Sequence, residues 1–303
     1  MSLSVRVCLA PLRRDYSSKT LAGFSYEFDI LSRYVYSTPM KPSSIGLHPN
    51  SDNKILLHKT ALITGASRGI GRAIAHKLAR MGANIVLNYV RNEEAAKSTE
   101  AELFEIGAKV LVHQANVGDP KAMDAMVDAA IAEFGKIDLL IHSAALGAFK
   151  PVHKLKTNQW ELSLDVNAKA FLLLVQKVLP SMEKTGEGTI ITLSSLGSHR
   201  YIPNYGAIGI SKAALESLVR YLGVELAPKK IRVNCVSGGL IDTDAVKYFP
   251  NFEDLKKEVV SRTPAGRIGQ PEDIAKIVAF LASPESAWVI GQTIIADGGF
   301  SLI

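Results

Sequence analysis

The chain has 303 residues, 47% of them hydrophobic, and a formal net charge of +6. That length supports one large α/β domain with a substantial core, and no apolar run is long enough to span a bilayer. The two cysteines, Cys8 and Cys235, lie far apart, which suits a reducing compartment such as the cytoplasm and offers no metal-ligand cluster. Basic residues do not form a stripe interleaved with aromatic residues, so nucleic-acid binding is not expected.

Residues 1–54 differ from the rest of the chain. They lack sustained periodicity, contain clusters of Ser, Pro and Gly, and hold seven Lys and Arg against four Asp and Glu, so +3 of the net charge lies there. We expect a disordered or targeting-like extension ahead of a domain at residues 55–303. Two interpretations stay open: an organelle-import segment, because its first part is rich in arginine and serine, or a translated upstream region with Met40 as the start.

From Ile55 onward, apolar strand-like runs alternate with helical patterns, and this alternation predicts one doubly wound parallel sheet with helices on both faces. Strands are predicted at Thr60–Ile63, Asn84–Tyr89, Lys109–His113, Ile137–His142, Thr189–Leu193, Ile231–Val236 and Thr293–Ala296. Helices are predicted at Arg72–Met81, Glu93–Ile106, Pro120–Phe134, Trp160–Met182, Tyr205–Leu226 and Pro271–Leu281.

A glycine-rich turn, Thr64-Gly-Ala-Ser-Arg-Gly-Ile-Gly71, joins the first predicted strand to the first predicted helix. Glycines at 65, 69 and 71 let the backbone approach a pyrophosphate closely, and the helix start behind them offers N–H groups and the positive end of a dipole. The strand-turn-helix setting therefore predicts a dinucleotide site.

The second predicted strand is followed by Val90, Arg91 and Asn92, without a carboxylate that could bind a free ribose 2′-hydroxyl. Arg91 and Arg68 instead offer guanidinium groups that fork onto phosphate oxygens. We therefore predict NADPH rather than NADH.

Lys212 has no tyrosine four residues ahead of it, because Ile208 occupies that position, and the nearest phenol is Tyr205, seven residues away. On a helix, seven residues return to within about 20° of the same face but about 5 Å further along the axis. Reduction of a ketone needs a proton donor beside the carbon that receives hydride. Reduction of an α,β-unsaturated thioester separates the two sites, since hydride adds to C3 while charge develops on the oxygen at C1.

From about Leu56 onward the chain is similar to the short-chain dehydrogenase/reductase family. The similarity rests on the glycine-rich turn, Asp165-Val-Asn167, Ile190–Ser195, Lys212 and Gly291–Gly299, in the family's order and spacing. Within the family, the spacing of Tyr205 and Lys212 together with Val236–Thr243 resembles the enoyl-acyl-carrier-protein reductases, and most of all their NADPH-dependent type III. This resemblance implies a Rossmann-like fold.

The resemblance also implies roles for single residues. Tyr205 would stabilise the enolate, Lys212 would hold the nicotinamide ribose, and Ser195 is a candidate for contacting the substrate, whereas Ser194 is interpreted as a strand-end backbone partner. Asn167 would support a water relay or simply bond to backbone. Tyr201, a second phenol, is interpreted as packing in the substrate loop, with a proton role as the alternative. The residues expected to contact the cofactor are Gly65, Ser67, Arg68, Gly69, Ile70, Gly71, Arg91, Asn116, Val117, Ser143, Lys212, Ile241 and Thr243.

The sequence departs from the family in the loops after two strands. The usual Asn-Asn-Ala-Gly reads His142-Ser143-Ala144-Ala145, and the Asp that usually faces adenine is Asn116. His142 is interpreted as a satisfied or solvent-facing histidine. The segment Asp242–Asn251 mixes aromatic residues with turn formers, as a lid over an acyl chain or an ordinary packed loop would.

The resemblance implies reduction of enoyl thioesters in fatty-acid biosynthesis, an acyl-carrier protein as substrate carrier, and a homotetramer formed partly through the long helix after Tyr205. Two alternatives stay open. The chain could reduce a ketone or a 3-oxoacyl substrate, with Tyr205 shifted by a local bulge. It could also bind NADPH without catalysis and act through partners.

Overall fold

The computed structural model describes residues 54–244, 246 and 252–303. The extension predicted for residues 1–54 lies outside the described residues except for Lys54, and so does most of the segment 242–251 that was predicted as a lid. Among the helices of the described ranges, none combines the length and the apolar character needed to cross a membrane.

Seven parallel strands form one sheet in the order β3-β2-β1-β4-β5-β6-β7. Their bounds are β1 Thr60–Thr64, β2 Asn84–Tyr89, β3 Val110–Gln114, β4 Leu139–His142, β5 Gly188–Ser195, β6 Ile231–Gly238 and β7 Thr293–Ala296. The direction of winding reverses between β1 and β4, so a crevice opens at the carboxyl ends of these two strands. The predicted doubly wound parallel sheet is confirmed.

Eight α-helices cover the sheet within the described residues. Their bounds are α1 Gly69–Arg80, α2 Glu93–Glu105, α3 Pro120–Phe134, α4 Thr157–Leu164, α5 Ala170–Thr185, α6 Gly206–Leu226, α7 Phe252–Arg262 and α8 Pro271–Ala282. The side chains of α1, α2 and α8 share one buried core, and those of α3, α5 and α6 share the other. Within β1, Ala61 and Ile63 face the first core and Leu62 faces the second, as the alternation of strand side chains requires.

The helix predicted at Trp160–Met182 is confirmed in position, because residues 157–185 are helical throughout, but its hydrogen-bonding pattern changes in the middle. A π-turn at Asp165–Lys169 separates α4 from α5. The side chain of Asn167, at the centre of this turn, bonds to the backbone of Leu146 and to Ser211, so contacts outside the helix hold the turn in place. Such bulges are frequent at functional sites.

Two further differences concern helix bounds near the substrate side. Helix α6 begins at Gly206, and Tyr205 is its N-cap with φ −103° and ψ 3° rather than its first helical residue. Helix α7 was not predicted. Its apolar residues Phe252, Leu255, Val259 and Val260 follow the helical spacing and are partly buried, so the pattern for this helix was present in the sequence and was missed.

Candidate active site

The glycine-rich turn after β1 has the shape that a closely bound anion requires. Gly65 and Gly69 adopt φ of 65° and 56°, a left-handed conformation that favours glycine. A β-carbon at Gly71 would come within 2.2 Å of the Gly65 carbonyl oxygen. No side chain caps the start of α1, so its first N–H groups point to the crevice without a side-chain acceptor.

The predicted cofactor residues follow the carboxyl ends of the strands and lie along one edge of the sheet. Asn88 in β2 supports the turn, since its Oδ1 accepts a hydrogen bond from the Gly65 N–H at 3.2 Å. Thr243 lies on the far side of the turn, where a β-carbon at Gly69 would approach its methyl group to 3.4 Å. The loop after β6 therefore reaches the glycine turn, and Ile241 fixes that loop through a bridge to Gly269.

The remaining predicted cofactor residues differ in exposure. Arg68 and Arg91 are exposed, and neither forms an ion pair with another residue in the described part of the chain. The Asn116 side chain is exposed and accepts a bond from the Gly118 N–H, whereas the Val117 side chain is buried. Ser67 and Ile70 belong to the turn itself: the Ser67 carbonyl accepts a hydrogen bond from the Thr99 hydroxyl, and Ile70 packs against the core. The Ser143 N–H, just after β4, donates a hydrogen bond to the Thr64 hydroxyl.

Lys212 is buried on the inner face of α6. Its Nζ donates to the Leu193 carbonyl at 2.7 Å. Burial lowers the pKa of Lys212 to about 8, and the carboxylate of Glu216 opposes that shift. Glu216, four residues after Lys212 on α6, accepts hydrogen bonds from Ser194 and Ser198. Lys212 is therefore mostly charged at neutral pH.

Tyr205 is half-buried at the start of α6. Its ring packs on Gly197, where a β-carbon would come within 2.5 Å of the ring, and against Phe149 at 6.0 Å between ring centroids. Burial raises the pKa of the Tyr205 phenol, and a hydrogen bond with the Ser195 hydroxyl partly lowers it. The phenol therefore stays protonated and can donate a hydrogen bond at neutral pH.

Ile208 fills the position where a phenol four residues ahead of Lys212 would stand. It is 8% exposed. It packs so closely on Gly147 that a β-carbon there would come within 2.3 Å of Ile208 Cγ1. Aliphatic packing, rather than a polar group, therefore occupies this position.

Asn167 is fully engaged. Its Oδ1 accepts from the Leu146 N–H, and its Nδ2 donates to the Leu146 carbonyl and to the Ser211 hydroxyl, each at 2.8 to 2.9 Å. Of the two roles expected for Asn167, the structure favours bonding to the protein, because the carboxamide has no remaining donor. The side chain ties the loop after β4 to the π-turn and to α6.

Sequence reasoning missed two contacts of Tyr205 and misread a second phenol. Gly197 could have been found as a glycine between a strand and a helix, but nothing in the pattern indicated Phe149. Tyr201 is 89% exposed, so its interpretation as loop packing is wrong.

In residues 54–244, 246 and 252–303, His, Cys, Asp and Glu form no group of three or more that could hold a metal ion.

Comparison with known proteins gives one matching family description. A family model described as enoyl-(acyl carrier protein) reductase matches residues 65–301. Among curated proteins, 1-cyclohexenylcarbonyl-CoA reductase of Streptomyces collinus is 40% identical over 247 residues, which are 81% of this chain and 88% of that protein.

Other similar proteins carry names of ketone or alcohol chemistry. The 7α-hydroxysteroid dehydrogenase of Escherichia coli K12 is 36% identical over 82% of this chain and 97% of its own length. A 3-oxoacyl-[acyl-carrier-protein] reductase of Staphylococcus aureus is 36% identical over 80% of this chain and 97% of its own length. A solved structure of 7α-hydroxysteroid dehydrogenase with NADH and 7-oxo glycochenodeoxycholic acid has a TM-score of 0.79, 36% identity, and covers 82% of this chain and 97% of that one.

Proposed function

The chain belongs to the short-chain dehydrogenase/reductase family of oxidoreductases, and we propose that it reduces the C=C bond of trans-2-enoyl thioesters with NADPH. One observation carries this proposal. Tyr205, seven residues ahead of Lys212, packs on Phe149 and Gly197 in the loops after β4 and β5, whereas Ile208 fills the position of the shorter dyad with an aliphatic side chain. The matching family description and the name of the Streptomyces relative support it.

The residues at the carboxyl edge fit a phosphorylated dinucleotide. The glycine turn excludes side chains where a pyrophosphate would bind, and Arg68 and Arg91 offer two exposed guanidinium groups without ion-pair partners in the described ranges. When bound, NADPH would supply the hydride that adds to C3 of the substrate.

Tyr205 would act where charge develops. As C3 gains hydride, the electron pair of the double bond moves toward the thioester carbonyl, so negative charge builds on its oxygen. A neutral phenol donates a hydrogen bond to that oxygen, and the buried setting strengthens the bond. Ser195, bonded to the phenol, would hold its orientation. The reaction is completed when C2 takes one proton that comes ultimately from solvent.

Lys212 would interact with both the cofactor and the substrate. Its buried ammonium group, fixed by the Leu193 carbonyl, offers further N–H donors to the ribose hydroxyls of the cofactor. Its positive charge also favours the developing negative charge on the substrate.

Fatty-acid elongation with an acyl-carrier protein as substrate carrier is the setting that the family description supports. We also propose a cytoplasmic homotetramer. The outer face of α6 exposes Tyr221 and Val224 to 69% and 74%, and such apolar exposure on a long helix favours self-association.

A ketone or 3-oxoacyl substrate is the second candidate. The curated relatives named for 7α-hydroxysteroid and 3-oxoacyl substrates favour it, and so does the hydrogen bond between Ser195 and Tyr205, because a serine and a phenol side by side can bind a carbonyl oxygen.

The test is oxidation of NADPH by the purified protein with crotonyl thioester and, in parallel, with a 3-oxoacyl thioester. We expect oxidation with the enoyl substrate alone. Oxidation with the 3-oxo substrate alone would establish the second candidate. Tight NADPH binding without turnover of either would contradict enoyl reduction and favour the third possibility, an inactive cofactor-binding protein.

A further inference from the structure

Glu216 lies one helical turn after Lys212 on α6, on the same face of the helix. Its Oε1 accepts hydrogen bonds from the hydroxyl of Ser194 at 2.5 Å and from that of Ser198 at 2.6 Å. Two donors on one oxygen suit a carboxylate, which only accepts hydrogen bonds. Glu216 is partly buried and also lines an open cavity with Arg220, so water can solvate the charge from that side.

The two serines flank the turn that follows β5. Ser194 is the last but one residue of the strand, and Ser198 ends the 3₁₀ turn Leu196–Ser198. The Ser198 hydroxyl also lies 2.8 Å from the Ser195 carbonyl, but its single hydrogen favours the charged oxygen of Glu216. The carboxylate therefore fastens both ends of the turn to α6.

This turn packs directly against the ring of Tyr205. A β-carbon at Gly197 would come within 2.5 Å of that ring, and a β-carbon at Gly209, near the start of α6, would come within 2.4 Å of the Gly197 carbonyl oxygen. The backbone of the turn is therefore in contact with both the helix and the phenol. A turn that moved away from α6 would remove the support of Tyr205.

Glu216 also supplies a negative charge that favours the ammonium group of Lys212. Burial lowers the pKa of Lys212, and Glu216 acts to raise it. Two other titratable groups near Lys212 carry no charge at neutral pH. Burial raises the pKa of the Cys235 thiol to about 12 and lowers the pKa of the His142 imidazole to about 3, so both groups are neutral.

The other charged or titratable groups beside Glu216 lie at the surface. Arg220 is one turn further along α6, and the Nδ1 of His199 lies 3.1 Å from the Ser198 hydroxyl. Both side chains are exposed, so solvent screens their effect on the buried ammonium group. Glu216 is therefore the group whose charge most directly shifts the protonation of Lys212.

We propose that Glu216 is a positioning residue of the active site, which holds the turn after β5 against α6 and keeps Lys212 charged at neutral pH. It acts through two other residues: through Tyr205, by holding the turn that contains Gly197, and through Lys212, by its charge. The catalytic consequence rests on the proposed function. The effect of the charge on Lys212 does not.

The protonation of Lys212 can be followed without substrate. In the full chain labelled with ¹³C at lysine Cε, NMR gives the titration midpoint of each ammonium group, and the Lys212→Arg variant identifies the signal of Lys212. Glu216→Gln keeps the volume and an acceptor oxygen but removes the charge, so we expect the midpoint to fall by about 0.5 to 1 pH unit. Glu225→Gln, the same change at an exposed position of α6, is the matched control and should shift it by less than about 0.2 unit.

Kinetics test both effects in turnover, with whichever substrate the enzyme reduces. The basic limb of kcat/KM reports the free enzyme, and in Glu216→Gln it should move to lower pH by the same amount as the midpoint. Ser198→Ala keeps the charge but releases one end of the turn. We expect its kcat to fall about fivefold, less than the roughly hundredfold cost of a misplacement of about 1 Å, with the basic limb unmoved.

Either of two results would overturn the proposal: a Lys212 midpoint that stays in place in Glu216→Gln, or a kcat in Ser198→Ala equal to that of the unmodified enzyme. If Glu216→Gln does not fold, Glu216→Asp takes its place. It keeps the charge but shortens the reach, so kcat should fall while the midpoint stays, and a lower midpoint would overturn the proposal. Absence of turnover with every thioester would count against the enoyl reduction, while the midpoint would still decide on Glu216.

Discussion

The cofactor side of the crevice, built by the loops after β1, β2 and β3, and the substrate side, built by the loops after β4, β5 and β6, are organised differently. On the cofactor side, the shape of the glycine turn depends on residues close in sequence, such as Gly65 and Gly71, and on one support from Asn88. On the substrate side, Tyr205 depends on Phe149, Ser195 and Gly197, which come from two other loops. Under the proposed function, local contacts would fix where the dinucleotide binds, and long-range packing would fix which substrate atom the phenol meets.

The largest expected effect belongs to the substrate side. Tyr205→Phe removes the hydrogen bond to the developing charge, and we expect kcat to fall roughly 10²- to 10³-fold while Kd for NADPH stays unchanged. Steady-state kinetics and a cofactor fluorescence titration check this. Tyr201→Phe is the control, because that phenol is exposed, and it should behave as the unmodified enzyme. Near-normal turnover in Tyr205→Phe would remove Tyr205 from the mechanism.

A pair of glycine substitutions sharpens the comparison. In Gly71→Ala the β-carbon meets the Gly65 carbonyl, so we expect Kd for NADPH to rise about a hundredfold. In Gly197→Ala the β-carbon meets the Tyr205 ring, so kcat should fall tenfold or more, about what a displaced donor costs, with Kd unchanged. Melting temperatures of both variants show whether the fold survives. If each substitution affected Kd and kcat alike, the two sides would not be separable.

A smaller effect is expected from the guanidinium groups. Arg91→Gln should raise KM for NADPH about tenfold or more and leave KM for NADH unchanged, because a charge-assisted bond to the 2′-phosphate is lost. Arg80→Gln, at the exposed end of α1, is the matched control. An equal rise for both cofactors would refute the phosphate contact.

The smallest effect is a pH dependence that links both sides. Because burial lowers the pKa of Lys212 to about 8, its charge is lost as the pH rises through that value. We expect kcat/KM to fall about threefold between about pH 7 and pH 8.3. Between about pH 8 and 10.5 the unfolded chain binds this proton more tightly, so this group's contribution to the free energy of unfolding rises with pH while activity falls. A flat profile to pH 9.5 would contradict the role of the charge.

The fold and the cofactor side could be predicted because their signals are local. Alternation of strands and helices gave the sheet, and the glycine turn with its flanking strand and helix indicated the dinucleotide site. Helix α7 was missed although Phe252, Leu255 and Val259 follow the helical spacing. The π-turn was missed because Asn167 is held by Leu146 and Ser211, which are distant in sequence.

The substrate side could be predicted only in part. The spacing of Tyr205 and Lys212 is visible in the sequence, but the spacing argument assumed a helix that includes Tyr205. The helix begins one residue later, and the phenol is placed by Gly197 and Phe149 instead. The close packing of Ile208 likewise depends on Gly147, which lies sixty-one residues earlier in the chain. No periodicity in the sequence indicates this contact.

The most direct test of C=C reduction is the position of transferred hydrogen. Crotonyl thioester is incubated with the enzyme and NADPH deuterated at the transferred position, and the product is analysed by mass spectrometry and NMR. We predict a saturated butyryl thioester with one deuterium at C3 and none at C2. Recovery of unreduced crotonyl thioester, while the same enzyme converts a 3-oxoacyl thioester to a deuterated 3-hydroxy product, would contradict it.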